Sequence, residues 1–596
     1  MDGIEIPVLT HFQTQGSSGG AQGILNVSFI EDLKLSASAF DARYDNALGS
    51  TLVIKQREGN PEKISGNARV SFTESALTLE GPLKKNRSNF LFSIRKSYLD
   101  FLFTAIDLPI RPNFTDMQYK ITHRLSDKTT LTVLGLGAID VFSFAATKKE
   151  TIENAYFRRS LPYINQWNYT VGLALKHLIN KGFINYTLSR NMFENRLDRF
   201  EDARDNQESY RNLKLRSQEM ENKFRMDVNQ FVNGWKFSYG VMAQYVKYNT
   251  DLFNKISSPY INENNIPVPE VNIQFKSAIE FFKVGAFGQI SKNLFENRVL
   301  VSMGLRTDGN TFMNTGLNLN KTLSPRLSAS YHLNSQWDIN ASVGRYYKIP
   351  TYTALGFRNE TGELSNQSLQ YLSSTHYVAG LQFLPNEALR FTLEGFFKAY
   401  EGYPVSQTNG SSLANLGSDF GSIGSESLIS SGNGQTYGFE FFVQQKLIKR
   451  VFYVLSYTYV RSLYSGIEPQ LIPSAWDNRH LISGTLGYKF KNEWSMGLKY
   501  RFSGGNPYTP FDTLASLRNY ALTGTGVLDF TKLNTLFLPV FTQTDLRVDK
   551  KFNFKKISLD AYIDIQNLFL NKQVSPGYYT FKRKADDSGF ETTDGL

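Results

Sequence analysis

The sequence predicts an all-β fold: a transmembrane antiparallel β-barrel, 22-stranded when complete, with a short segment ahead of it. Three observations predict it. Polar and apolar residues alternate with a period of two in hairpin after hairpin, and no stretch is apolar enough for a spanning helix. A chain with 32 Tyr and 46 Phe also has a mean hydropathy of only -0.32. A wall that shows lipid one face and water the other accounts for all three. At 596 residues and 67.7 kDa the chain exceeds the size at which single cores usually divide. It must be several domains, a repeat array or one large closed architecture.

The alternation is clearest near the end. Ile557, Leu559, Ala561, Ile563 and Ile565 share one face of an extended chain, and Ser558, Asp560, Tyr562, Asp564 and Gln566 the other. From Arg390 to Tyr400 the same sorting sets Phe391, Leu393, Gly395, Phe397 and Ala399 against Arg390, Thr392, Glu394, Phe396, Lys398 and Tyr400, with only Phe396 and Tyr400 softening the polar side. Segments Thr436 to Lys446 and Ser495 to Phe502 repeat it, whereas Leu131 to Phe144 fits poorly. One such segment suits a soluble sandwich; recurrence over long strands suits a tilted membrane wall. A sheet edge in lipid would strand backbone amides at several kcal/mol each, so the wall must close.

Composition excludes other classes. The least polar stretch, Leu131 to Ala146, is broken by Asp140 and is shorter than the roughly 20 residues a spanning helix needs. With no Cys there is no disulfide framework, thiol nucleophile or thiolate metal site. Lys and Arg exceed Asp and Glu by 65 to 54, a net +11, but the charges are dispersed, which argues against nucleic acid and suits anionic lipid headgroups. Met1-Asp2-Gly3 opens no signal peptide, so an exported barrel is expected to begin upstream of it.

Short polar turns fall near 84–88, 126–128, 179–182, 230–234, 291–296, 334–336, 385–387, 446–450, 491–492 and 553–555. Longer connections alternate with them near 142–165, 192–222, 249–271, 348–373, 402–433, 505–540 and 569–592. Outer-membrane barrels keep short turns in the periplasm and long loops outside. Strand one falls near 64–72 and strand twenty-one near 555–568, so an even barrel is expected to gain its last strand beyond Leu596.

Several motifs carry a family resemblance. Met1 to Pro7, Gln15-Gly16-Ser17-Ser18-Gly19-Gly20 and Ala42-Arg43-Tyr44-Asp45-Asn46-Ala47-Leu48-Gly49-Ser50 resemble the later part of the plug of TonB-dependent outer-membrane receptors, closest to the Bacteroidetes type. Gly304-Leu305-Arg306-Thr307-Asp308, Ser324-Pro325-Arg326-Leu327-Ser328, Trp476-Asp477-Asn478-Arg479-His480, Ser503 to Pro510 and Asp564-Ile565-Gln566-Asn567-Leu568-Phe569 are similar to its barrel motifs. The resemblance implies a partial plug over 1–58, a barrel over 59–596 lacking its final strand, and an outer-membrane location in a Gram-negative bacterium. It also implies energized import of a solute, with a periplasmic energy-coupling protein and a surface lipoprotein as partners besides outer-membrane lipid. The alternative is a non-transporting structural or assembly subunit of an outer-membrane complex.

Candidate sites follow from chemistry at the expected positions. His11, Phe12 and Gln13 are candidate plug-apex contacts for a solute, weighed against plain packing. Asp560, Tyr562 and Asp564 are candidate lumen wall; two Asp four apart on a strand lie about 13 Å apart, too far for paired acid–base catalysis, and are expected to pair with Lys or Arg on neighbouring strands. The six His form no HxH, HxxH or HExxH pattern, so no metal site, cofactor or catalytic residue is assigned. His123, His177 and His332 sit beside short turns. The charged span Met192 to Lys223 reads as a solvated outer loop, and Asn409 to Gly434, rich in Ser and Gly, as a mobile one.

Overall fold

A computed structural model describes residues 1–596 except 17–18, 21, 150, 206, 258–259, 262–265, 418–422, 524–525, 578–581, 585–589 and 592–596. Among the described residues the barrel segments form one closed ring. The N-terminal region holds β1 (Thr10–His11) paired with β2 (Gln22–Gly23), and β3 (Ile30–Ser36) paired with β4 (Thr51–Gln56). The wall starts with β5 (Ser65–Val70), β6 (Glu74–Lys84), β7 (Ser88–Ser97), β8 (Ile110–Ser126) and β9 (Thr129–Phe144). It continues through β10 (Tyr163–Ile179), β11 (Gly182–Phe200), β12 (Arg211–Val232) and β13 (Trp235–Ser257), and ends at Ser558–Ile565, which the ring places beside β5 in the position expected of a strand beyond Leu596, so among the described residues the ring closes without that strand.

Local chemistry fixes the hairpins. Val232 opposes Trp235 in the ladder, leaving Asn233 and Gly234 as a two-residue turn with φ of 50° and 77°. That left-handed pair matches the strand twist, and Asn-Gly adopts it readily. Trp235, Trp337 and Trp494 each open the strand that follows a short turn, the position of an interfacial aromatic girdle. All ten short turns fall at strand junctions.

The long connections are shorter than their sequence suggests. Residues 192–200 and 211–222, expected in an outer loop, continue β11 and β12, so the true connection is 201–210. Strands likewise run to Ser257 and from Val271, and to Ser406 and from Leu428. The turn expected at 291–296 starts after Leu294. The cause is physical: a strand of 23 residues is roughly 75 Å long at 3.3 Å per residue, far more than the hydrocarbon needs even when tilted. Beyond the bilayer its outward face turns polar, and the alternation that marks a strand disappears.

The poor alternation of β9 has the opposite cause. Its inward residues Leu134, Leu136 and Ala138 are buried against Met1, Ile4, Ile24 and Ile54 of the N-terminal region, so both faces are apolar. Gly172 on β10 makes room for that core: a Cβ there would lie 2.5 Å from Ile4 Cδ1.

On the final strand Ile557, Leu559, Ile563 and Ile565 are exposed, and the Tyr562 ring, on the other face, lies 4.2 Å from the Arg547 guanidinium. Ile563→Arg is therefore expected to cost about 2 to 4 kcal/mol at mid-membrane, and Tyr562→Gln much less. Equal refolding yields of the two variants in lipid would reject this facing.

Candidate functional site

The N-terminal region lies in the lumen, and the interface between it and the wall is the site. β12 shows how the wall is built. Phe224 points out and is exposed, whereas Ser217, Glu219, Glu221, Lys223, Arg225, Asp227 and Asn229 share the inward face. Gln15 accepts from Ser217 Oγ at 2.5 Å and donates to Glu219 at 2.9 Å. Lys223, nearly fully buried, donates to Asp45 at 2.8 Å and to Glu5. Burial works against the charged form of Asp45, but Lys223, Arg306 and Arg225 outweigh it and hold the carboxyl far below its ordinary range.

A second pattern runs around the lumen: wall cations donate to backbone carbonyls of the N-terminal region. Arg95 reaches Gly23 O at 2.7 Å, Lys120 reaches Gln56 O at 2.9 Å and Arg225 reaches Arg43 O at 2.6 Å. Arg306, oriented by Asp308 at 2.8 Å, reaches Ala42 O at 3.3 Å. Arg326 donates to Phe40 O, Asp41 O and Tyr44 O at 3.0, 2.5 and 3.2 Å, and stacks over the Phe40 and Tyr346 rings. Lys398 donates to Ala37 O at 2.7 Å and Gly49 O at 3.2 Å. Charge-assisted bonds of this kind are about twice as strong as neutral ones, yet water can replace each of them.

Toward the outer mouth the N-terminal tip meets an inward-folded loop. Phe12 packs with Phe114, Phe142, Phe275 and Phe357, the last carried by the connection 349–371. On that connection Tyr352 donates to Glu221 at 2.5 Å. Gly16 has a φ of +80°, and a Cβ there would lie 2.9 Å from Thr353 Oγ1; Ser17 and Ser18 of the glycine-rich run lie outside the described residues.

The sequence-derived candidates therefore divide. His11 is fully buried and Phe12 nearly so, so both pack rather than present themselves at an open apex; Gln13 is half-buried and accepts from Gln166 through its carbonyl at 2.9 Å. Asp564 meets Arg547 at 3.9 Å, and Asp560 lies opposite Lys551 in the ladder. His123, His177 and His332 bond locally to Ser88, Thr129 and Asp338 near the short turns. The sequence assigns no site role to Lys223, Arg326 or Lys398, although Arg326 stands in the Ser324 to Ser328 motif and Lys398 on the polar face of 390–400. Lys223 fell in the span read as a loop, although Phe224, Met226 and Val228 alternating with Lys223, Arg225 and Asp227 carried the strand signal.

These features define a barrel whose lumen is occupied by its own N-terminal region, an architecture of the outer membrane of Gram-negative bacteria. The chain belongs to the TonB dependent receptor-like, beta-barrel family, whose model matches residues 108–568. It is a transport or receptor protein and not an enzyme. The pyoverdine outer-membrane receptor FpvA of Pseudomonas aeruginosa, bound to pyoverdine, is similar in structure, with a TM-score of 0.65 at 14% identity over 96% of this chain and 84% of that one. A variant of the ferric enterobactin receptor of the same species gives 0.65 at 15% over 96% and 86%. The copper transporter OprC gives 0.64 at 13% over 98% and 87%. No curated protein sequence matches the chain.

Lys223→Met would remove the hydrogen-bonded cation of the buried Asp45 and leave only Arg306 and Arg225 to compensate its charge, a change expected to cost up to about 3 to 5 kcal/mol. Hydrogen exchange over residues 37–49 should rise sharply in this variant and recover in part when Asp45→Asn is added. Exchange unchanged from wild type would show that the pair does not hold the region.

Proposed function

We propose that the chain imports a solute across the outer membrane, with residues 1–58 as the plug of a barrel spanning 59–596 and with energy delivered from the periplasmic side. The observation that carries this reading is the chemistry of the lumen seal. Arg306, Arg326 and Lys398 grip backbone carbonyls between Ala37 and Gly49, bonds that water can take over when the region moves.

A periplasmic energy-coupling protein is the partner this reading requires. The motif resemblance to the Bacteroidetes type adds a surface lipoprotein over the outer mouth. Short turns such as 387–388 then face the periplasm, and the connections 201–210 and 407–427 face outward.

The chain has no Cys, so an engineered disulfide tests the movement directly. A Cβ at Gly304 would sit 3.0 Å from Ala42 Cβ, near the separation of about 3.5 to 4.5 Å that a disulfide uses. Cells carrying Ala42→Cys with Gly304→Cys should lose energy-dependent depletion of solutes from a complex medium when oxidised, and regain it on reduction. Equal depletion in both redox states would overturn import by movement of this region.

A further inference from the structure

The wall side of the β1–β2 hairpin holds a buried ionic cluster that the lumen seal does not explain. His11 on β1 is fully buried, with Nδ1 2.6 Å from Asp140 on β9 and Nε2 3.2 Å from Asp116 on β8. Its ring stacks on Phe114 at 3.9 Å, and the next amide, Phe12 N–H, donates to the other Asp140 oxygen at 2.9 Å. Arg95 on β7 donates to Asp116 at 2.7 Å and lies 3.5 Å from both Glu74 and His11 Nε2. Glu74 on β6 also pairs with Arg69 and accepts from Gln22 on β2 at 3.1 Å. Both strands of the hairpin are thus fastened to the same patch of wall.

Charge counting assigns the imidazole a state. Glu74, Asp116 and Asp140 bring three negative charges, and Arg69 and Arg95 bring two positive ones. Only a protonated His11 balances the cluster, and only in that form do both ring nitrogens donate to the two carboxylates that face them. We infer that His11 is a positioning residue for the plug reading given above: a protonated latch that holds the β1–β2 hairpin against β7, β8 and β9 and releases it when the proton is lost. Loss of the proton removes the imidazole's bond to Asp116, which then keeps Arg95 as its donor, and leaves a buried cluster with an unbalanced negative charge, so the hairpin is held less tightly against the wall.

The direction of the pH dependence follows. Burial alone would lower the His11 pKa, but the hydrogen bonds to Asp116 and Asp140 outweigh it and raise the value above the ordinary one. A group whose pKa is higher in the closed state stabilises that state fully below its ordinary value, about 6.5. The contribution fades as pH rises from there through the raised value, by up to about tenfold in the closed-to-open ratio per pH unit within that window.

Hydrogen exchange of the full chain in lipid nanodiscs, corrected for the intrinsic pH effect, reads this without any solute. Protection of residues 8–13 and 22–24 should fall between pH 6 and pH 9, while β4 stays unchanged. His11→Gln should give low protection that is flat with pH. Asp140→Asn, which keeps the imidazole but removes one carboxylate charge, should move the midpoint downward. The inference fails if wild type and His11→Gln share one profile, if protection rises with pH, or if Asp140→Asn leaves the midpoint in place. Because no uptake is measured, such a failure is separate from a failure of the import reading.

Discussion

A backbone amide left unpaired in hydrocarbon costs several kcal/mol, and the whole wall is arranged so that neighbouring strands remove that cost. Consecutive strands pair antiparallel through long ladders, as in the twenty-residue register from Leu213 with Asn254 to Val232 with Trp235. Closing the ring creates the next demand. Outward positions must be apolar, so the polar residues are forced inward, and a lumen lined by Glu, Lys and Arg needs water or a polar filling. The N-terminal region supplies that filling. The occupied lumen is thus a consequence of the closed wall, not a separate invention.

How the filling is held explains two strings of residues that look unrelated in the sequence. Arg306 and Arg326 in the wall converge on the carbonyls of Phe40 through Tyr44. The motif around Ala42 is therefore the partner of the motifs around Gly304 and Ser324. Contacts to carbonyls fix the path of the chain rather than the identity of its side chains. Small residues appear where backbones must come close: Gln289 accepts from the Ala42 amide at 2.9 Å, and Gly304 leaves space for the Ala42 methyl.

Much of this was legible in the sequence, and the rest was hidden for definite reasons. The alternation at 557–566 reports a strand, and Ser558–Ile565 forms one in the wall. It lapses in β12, where Lys214 and Arg216 face outward beyond the bilayer while Leu213 and Leu215 turn inward to pack with Phe12, inverting the usual pattern. It lapses again in β9, where the lumen face is apolar. Both exceptions arise from partners 80 or more residues away in the sequence, which no local period encodes. The same holds for His11: a lone imidazole next to Phe12 suggests a contact for a solute, and only the fold brings Asp116 and Asp140 to it.

The seal is chemically uneven around the lumen, and that unevenness bears on how it opens. Against β9 the region is held by Ile4, Ile24 and Ile54 packed on Leu134 and Leu136, a contact that loses roughly 25 cal/mol for each Å² returned to water. Against the strands carrying Arg306, Arg326 and Lys398 it is held by charge-assisted bonds to carbonyls, whose donors and acceptors water can satisfy as the surfaces part, together with a smaller apolar cluster of Phe40 and Leu48 on Tyr346 and Leu372. Water replaces the first kind of contact more readily than the second. In the proposed import, movement of the N-terminal region would exchange the carbonyl bonds of Arg306, Arg326 and Lys398 for water, while the packing of Ile4, Ile24 and Ile54 on β9 has no such replacement.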